Sequence, residues 1–322
     1  MDRSRLIGIF VLAVLAAAPF LAGDYLTSVL ILFLMQAYLG TAWNVMMGFA
    51  GQFSLGHALY VGLGAYTASA LYVHYGLSPW AGMAVAALVS ACFAAVIGFL
   101  GFRFGVKGVY FALLTIAFSE FTRISFDHWN WVGASSGLFL PVANRDANDL
   151  LMLRGDNTMF YFVILGMSLA ALALCRYLLG TRLGYFWQAV REDQEAAETL
   201  GVPVFGTKMS AVLISAALTS QAGVFYAFYN NTLYPENIFS MHRSIELMLG
   251  AIIGGIGTLA GPILGAAVLT LLGEVLTHFS EGSGLDGVKQ VSYGVVLLAI
   301  VAWQPKGLWP WLSRRLGLGE RP

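Results

Sequence analysis

The apolar residues of this chain fall in long blocks rather than at helical or alternating spacing. Leu6 to Ala22 and Pro79 to Phe102 run well beyond the needs of a soluble core helix. A bilayer core of about 30 Å takes about 20 helical residues per crossing. On that scale ten segments read as helices: 6–22, 25–47, 58–75, 79–101, 106–126, 158–178, 208–230, 244–259, 262–279 and 288–304. Segment 244–259 is short and glycine-rich, so a broken or re-entrant helix is expected there.

Two connections exceed a turn. Stretch 127–157 holds Trp129, Asn130, Trp131 and four aspartates, and 179–207 is the most charged part of the chain. The other loops are short, so 1–322 reads as a single membrane domain with a polar tail at 305–322. The expected fold is an all-α polytopic membrane helix bundle of about ten transmembrane segments, some broken.

Composition removes the main alternatives. Hydrophobic residues make up 58% and charged residues 11%, against about 25% charged in soluble domains, which excludes an ordinary cytosolic enzyme and a disordered chain. Seventeen basic and seventeen acidic residues cancel, leaving no basic face for nucleic acid. The two cysteines, Cys92 and Cys175, lie inside apolar blocks and are expected to be buried free thiols. Asp2 to Arg5 followed by Leu6 to Ala22 has the outline of a signal peptide. A retained first helix is the preferred reading, because many further spans follow.

Positive charge sets orientation. With both ends inside, twelve of the seventeen basic residues fall on the inner side, leaving Arg123, Arg145, Arg154, Arg243 and Lys289 for the outer side. An N-in, C-in chain is therefore expected, with 127–157 outside and 179–207 in the cytoplasm. Trp303, Trp309 and Trp311 beside Lys306, Arg314 and Arg315 read as an inner aromatic belt.

In the charged loop, residues 187–200 lack proline and glycine and are rich in Ala, Glu and Gln, which predicts a helix. Trp187, Val190, Ala197 and Leu200 would form its apolar face, and Gly201 with Pro203 would stop it. By its residues alone it is an amphipathic connector at the membrane surface. Glu195-Ala196-Ala197-x-x-x-Gly201 resembles the EAA–G signature of ABC-importer permease subunits. That resemblance implies a coupling helix docked on an ATP-binding subunit, formed by Arg191, Glu192, Asp193, Glu195, Ala196, Ala197 and Gly201.

Glycine clusters at 48–66 and 250–267, one segment in each half. Glycine lets helices approach closely in a membrane, and it permits broken backbone where protein covers it or a cavity is lined. Tight packing and a pathway lining both follow from this pattern. Gly51-Gln52-x-Ser54-Leu55-Gly56-His57-Ala58 and Gly254-Gly255-x-Gly257-Thr258-x-x-Gly261-Pro262 are similar to the two signatures of branched-chain amino acid ABC permeases. Arg191-Glu192-Asp193 and Pro235-Glu236-x-x-Phe239 match in order between them.

The resemblance spans roughly residues 30–307, and the long outer loop and extended tail are similar to the LivM-type subunit rather than the shorter LivH-type. It implies pathway-lining roles for Gly51, Gln52, Ser54, Gly56, His57, Gly254, Gly255, Gly257, Gly261 and Pro262. His57 and Gln52 could equally satisfy freed backbone groups. Implied partners are a LivH-type permease, two ABC ATPases carrying ATP–Mg, a periplasmic binding protein and the lipid of a bacterial inner membrane. No cofactor on this chain is implied. One departure stands out: Trp131 to Leu138 keeps only the framing glycines, Gly133 and Gly137, of the run usual in the LivM-type outer loop. Urea, short amides and other organic acids are therefore alternative substrates.

Other chemistry is thinly represented. Gly133-Ala134-Ser135-Ser136-Gly137 fits G-x-S-x-G, with His57 or His278 as formal partners, but a nucleophile elbow needs a strand before it and a helix after it. The chain contains no H-E-x-x-H, metal-ligand spacing or phosphate loop, so ATP hydrolysis must come from another chain. Glu120 and Arg123 stand three apart and are expected to pair, and Glu274 lies within the ninth segment. These carboxylates carry the rival reading, an H⁺- or Na⁺-driven secondary transporter.

Overall fold

The computed structural model describes residues 3–21, 23–141, 148–280 and 288–315. Among them a helix lies on each of the ten predicted segments. The first half contains α1 (Arg3–Leu21), α2 (Asp24–Asn44), α3 (Ala58–Tyr75), α4 (Pro79–Arg103) and α5 (Val109–Asp127). Strand β1 (Leu138–Phe139) and α6 (Asn157–Leu179) follow, then two short helices in the charged loop, α7 (Arg182–Glu192) and α8 (Gln194–Thr199). The second half contains α9 (Val204–Asn230), β2 (Thr232–Leu233), α10 (Pro235–Ile238), α11 (Met241–Gly254), α12 (Gly261–Ser280), α13 (Val288–Trp303) and α14 (Leu308–Arg315).

Local chemistry sets many of these boundaries. Asp156 caps α6 by accepting from Met159 N at 2.8 Å, and Ser240 caps α11 through Arg243 N. Proline opens α4 and α10, where its missing N–H has no partner to lose. Gly76, at φ +64°, closes α3 in the left-handed region.

Helix α9 packs against both α3 and α4, and α2 lies against α6, α11 and α12. The α3–α9 crossing is close because glycines face backbone on each side. A Cβ on Gly64 would strike the Ser220 carbonyl, and one on Gly223 would strike that of Val61.

The two long connections sit at opposite ends of the bundle. At one end β1 pairs antiparallel with β2, Leu138 opposite Leu233. There Trp80 Nε1 donates to Leu150 O at 2.8 Å, His74 Nε2 meets Trp131 O at 2.9 Å, and Asn157 Nδ2 donates to Ser28 Oγ at 3.1 Å. At the other end Lys208 Nζ donates to Gln194 Oε1 at 2.5 Å, tying α9 to the charged loop.

Among the described residues five helices are long and apolar enough to cross a membrane, Asp24–Phe49, Pro79–Arg103, Val109–His128, Asn157–Leu179 and Val204–Asn230, with shorter apolar helices at Leu12–Leu21 and Gly261–Thr277. Other expectations need correction. Helix α11 has 14 residues, about 21 Å at 1.5 Å per residue, short of a 30 Å core. It stops at Gly254 rather than 259 because Gly255 and Gly257 take φ of +130° and +79°.

The helix expected over 187–200 is broken at Asp193, whose φ is −153°. Its carboxylate accepts from Glu195 N and Ala196 N at 2.9 and 3.0 Å, so it caps α8 instead of extending α7. Leu200 leaves the apolar face and is 85% exposed, whereas Trp187, Val190 and Ala197 are buried. Cys175 is buried, but Cys92 is exposed on α4. Helix α4 is apolar all round, so its pattern does not mark the side that meets protein. Arg145, Lys289's side chain, His278's side chain and the tail beyond Arg315 lie outside the described residues.

Candidate functional site

The two glycine-rich segments meet at the charged-loop end. Helix α2 ends in a π turn, Val45–Phe49, and the chain leaves it through Gly51 at φ +70°. Asn44, in the last turn of α2, presents its amide to the other segment. Its Nδ2 donates to Thr258 O at 2.9 Å and its Oδ1 accepts from Gly257 N at 2.8 Å. The backbones are so close that a Cβ on Gly48 would lie 2.6 Å from Gly257 N.

Arg191 binds this seam. From α7 its Nη1 donates to Gly48 O at 2.7 Å, while Nη2 pairs with Glu192 at 2.6 Å. A Cβ on Gly51 would approach Arg191 Cγ to 3.0 Å, and one on Gly257 would approach Nη1 to 2.7 Å. Both glycines leave room for the arginine. Trp187 holds α7 in place: it is fully buried, and its Nε1 donates to Thr207 O and Ser210 Oγ, each at 3.0 Å. The chain after α13 joins the same region, since a Cβ on Gly255 would lie 3.1 Å from Pro310 Cδ and 3.2 Å from Lys306 O.

The remaining loop residues divide by direction. Ala197 is buried, whereas Glu195 and Ala196 are exposed on α8, with Leu200 beyond them. Gly201, at φ +84°, makes the turn that leads into α9.

Ser54, Gly56 and His57 lie in the descending chain before α3, away from Arg191, and four helices satisfy their polar groups. Trp43 Nε1 donates to Ser54 O at 3.0 Å, and Thr115 Oγ1 accepts from Leu55 N and Gly56 N, each at 3.2 Å. Ser244 Oγ accepts from Ala58 N at 2.9 Å. The buried His57 ring bridges Ser54 Oγ at 3.1 Å and Ser215 Oγ at 2.8 Å. Ser215 directs its own hydrogen to Ala42 O at 2.7 Å, so Nε2 is the donor to Ser215 and Nδ1 accepts from Ser54. Gln52 Nε2 donates to Ala50 O at 2.9 Å. On the second segment, Pro262 packs against Gly40, while Gly254 and Gly261 approach each other's backbone.

Sequence reasoning missed Asn44, Thr115 and Ser215. Their signal was available: each is a polar residue inside an apolar block, and such residues need partners.

At the opposite end a cavity of about 610 Å³ is lined by Asp127, His128, Ser135 and Glu236 among others. The expected Glu120–Arg123 pair forms at 2.5 Å and extends to Asp127 at 2.8 Å. Ser135 sits in a 3₁₀ turn with no strand–turn–helix around it. The framing glycines have a geometric role: Gly133 and Gly137 take φ of +91° and +84°, and a Cβ on Gly137 would lie 2.6 Å from Leu233 O.

Residues 25–302, which include the seam, the charged loop and the long connection, match the family described as "Branched-chain amino acid transport system / permease component". The chain belongs to that family. It is similar to the high-affinity branched-chain amino acid transport system permease protein LivM of Escherichia coli K12, 29% identical over 97% of this chain and 76% of that protein. The LivM protein of Salmonella typhimurium is 28% identical over 98% of this chain and 77% of its own length. A probable LivH permease of Methanocaldococcus jannaschii is 22% identical over 80% of this chain and 84% of its own. No solved structure matches. Family membership and the long apolar helices together make this permease a multi-pass membrane protein.

Proposed function

We infer that this chain is the LivM-type permease subunit of an ABC importer that moves branched-chain amino acids across the bacterial inner membrane. A LivH-type permease would form the other pathway wall, two ATPases would hydrolyse ATP–Mg on the cytoplasmic side, and a periplasmic binding protein would deliver the solute. The topology is N-in and C-in, with α7 and α8 in the cytoplasm. The cavity at Asp127 and Glu236 then opens at the outer mouth, towards the binding protein.

One observation carries the mechanism. The charged loop has a free face, Glu195, Ala196 and Leu200, and an anchored face, Trp187 and Arg191. A partner that moves the free face therefore moves Arg191. Arg191 and the Asn44 amide hold the junction of the two glycine segments, whose backbones approach closely because glycine carries no side chain. Alternating access follows if ATPase closure shifts this junction. The test is ATP-driven leucine uptake by the reconstituted transporter with its binding protein. Glu195→Arg with Gly201→Val should abolish it in fully assembled complex, and undiminished uptake would sink the coupling role.

A further inference from the structure

A second polar cluster lies within the membrane-facing part of the bundle, between α2, α11 and α12. A cavity of about 110 Å³ there is lined by Gln36, Arg243, Glu246 and Glu274, with Leu39 and Leu247 among the apolar walls. Gln36 stands twelve residues into α2, about 18 Å along it, which is mid-depth for a 30 Å core.

Arg243 has unused donors. Its guanidinium lies over the Tyr226 ring at 4.4 Å, and its Nε and Nη2 are buried without a hydrogen-bond partner. Glu246 follows three residues later on α11, on the same face. Among the described residues no ion pair joins the two. Glu274 is engaged, accepting from Tyr25 Oη, which leaves Glu246 as the available carboxylate. Buried guanidinium donors are costly to leave unmade and fit the two oxygens of a carboxylate in a forked geometry. A cation and an anion, unpaired with each other and facing one small cavity, complement a molecule that carries both charges.

We propose that this pocket binds the zwitterionic head of the transported amino acid, with Arg243 holding the carboxylate and Glu246 the ammonium. This rests on the reading of the chain as an amino-acid permease. The cavity has room for the head group, and Leu32 and Leu39 on its wall offer apolar surface to the aliphatic chain. The site thus recognises the part shared by all α-amino acids.

The experiment measures initial ATP-driven leucine uptake in proteoliposomes containing the full transporter and loaded binding protein. R243Q and E246Q should each lower uptake about tenfold or more, and R243K should recover only part of the loss, because it keeps the charge but not the two-pronged fork. Assembled complex and ATP hydrolysis stimulated by binding protein should stay within about twofold of the unaltered transporter, which separates recognition from coupling. Near-normal uptake by R243Q and E246Q overturns the pocket. Equal loss of assembled complex in R243Q and R243K makes Arg243 a packing residue and overturns it as well. If the unaltered transporter moves no leucine, the functional reading falls instead.

Discussion

Arg191 on the charged-loop helix donates to the carbonyl of Gly48, 143 residues earlier, at 2.7 Å. A single side chain thereby connects the surface that would meet an ATPase to the break at the end of α2. Removing it should uncouple the machine rather than unfold it. A hydrogen bond from a charged donor contributes about 1.5–3 kcal/mol, so Arg191→Ala should slow leucine uptake at least about tenfold. ATP hydrolysis measured on the same proteoliposomes should change by less than about twofold. Parallel loss of both activities would count against a coupling role.

The glycines differ in what a methyl group would meet. Gly48→Ala would force a Cβ to within 2.6 Å of Gly257 N, and overpacking of this kind costs about 1–3 kcal/mol. Its midpoint of thermal unfolding in nanodiscs should fall by several degrees. Gly166 on α6 has nothing within 4 Å of the equivalent position. Gly166→Ala should therefore be neutral or raise the midpoint slightly, by the equivalent of about 0.5–1 kcal/mol.

Asp193 separates α7 from α8 and caps the latter. Asn caps as well as Asp, whereas Ala does not. Asp193→Ala should reduce the ATPase retained on affinity purification about fivefold, and Asp193→Asn should restore most of it. If Asn and Ala behave alike, the charge rather than the cap is what matters.

His57 links Ser54 to Ser215 inside the bundle. His57→Ala leaves the buried Ser54 hydroxyl without its acceptor and takes a donor from Ser215, at a cost of about 1–3 kcal/mol, and should lower thermal stability. The ratio of leucine to valine uptake should be unchanged in the protein that remains folded. A shifted ratio would place His57 in contact with the solute.

Much of the architecture was legible in the chain. Long apolar blocks separated by turn residues predicted ten helices, because a segment crossing lipid must satisfy its own backbone. Asn44 and Ser215 show where that reading ended. Each is a lone polar residue in an apolar run, and only folding brings Thr258 to the first and His57 to the second. Cys92 shows the same limit from the other side: an all-round apolar helix does not mark its protein-facing side.

The sequence by itself determined the class of molecule, its helices and the two glycine-rich segments with the charged loop between them. Periodicity, block length and composition are local properties, and they survive without any fold. Tertiary structure alone decided that Gly48 and Gly257 touch, that Arg191 lies against both, and that Arg243 and Glu246 share a cavity with Gln36. The first and last of those relationships join residues more than two hundred positions apart. They depend on how glycine-sided helices approach one another, which a one-dimensional pattern does not encode.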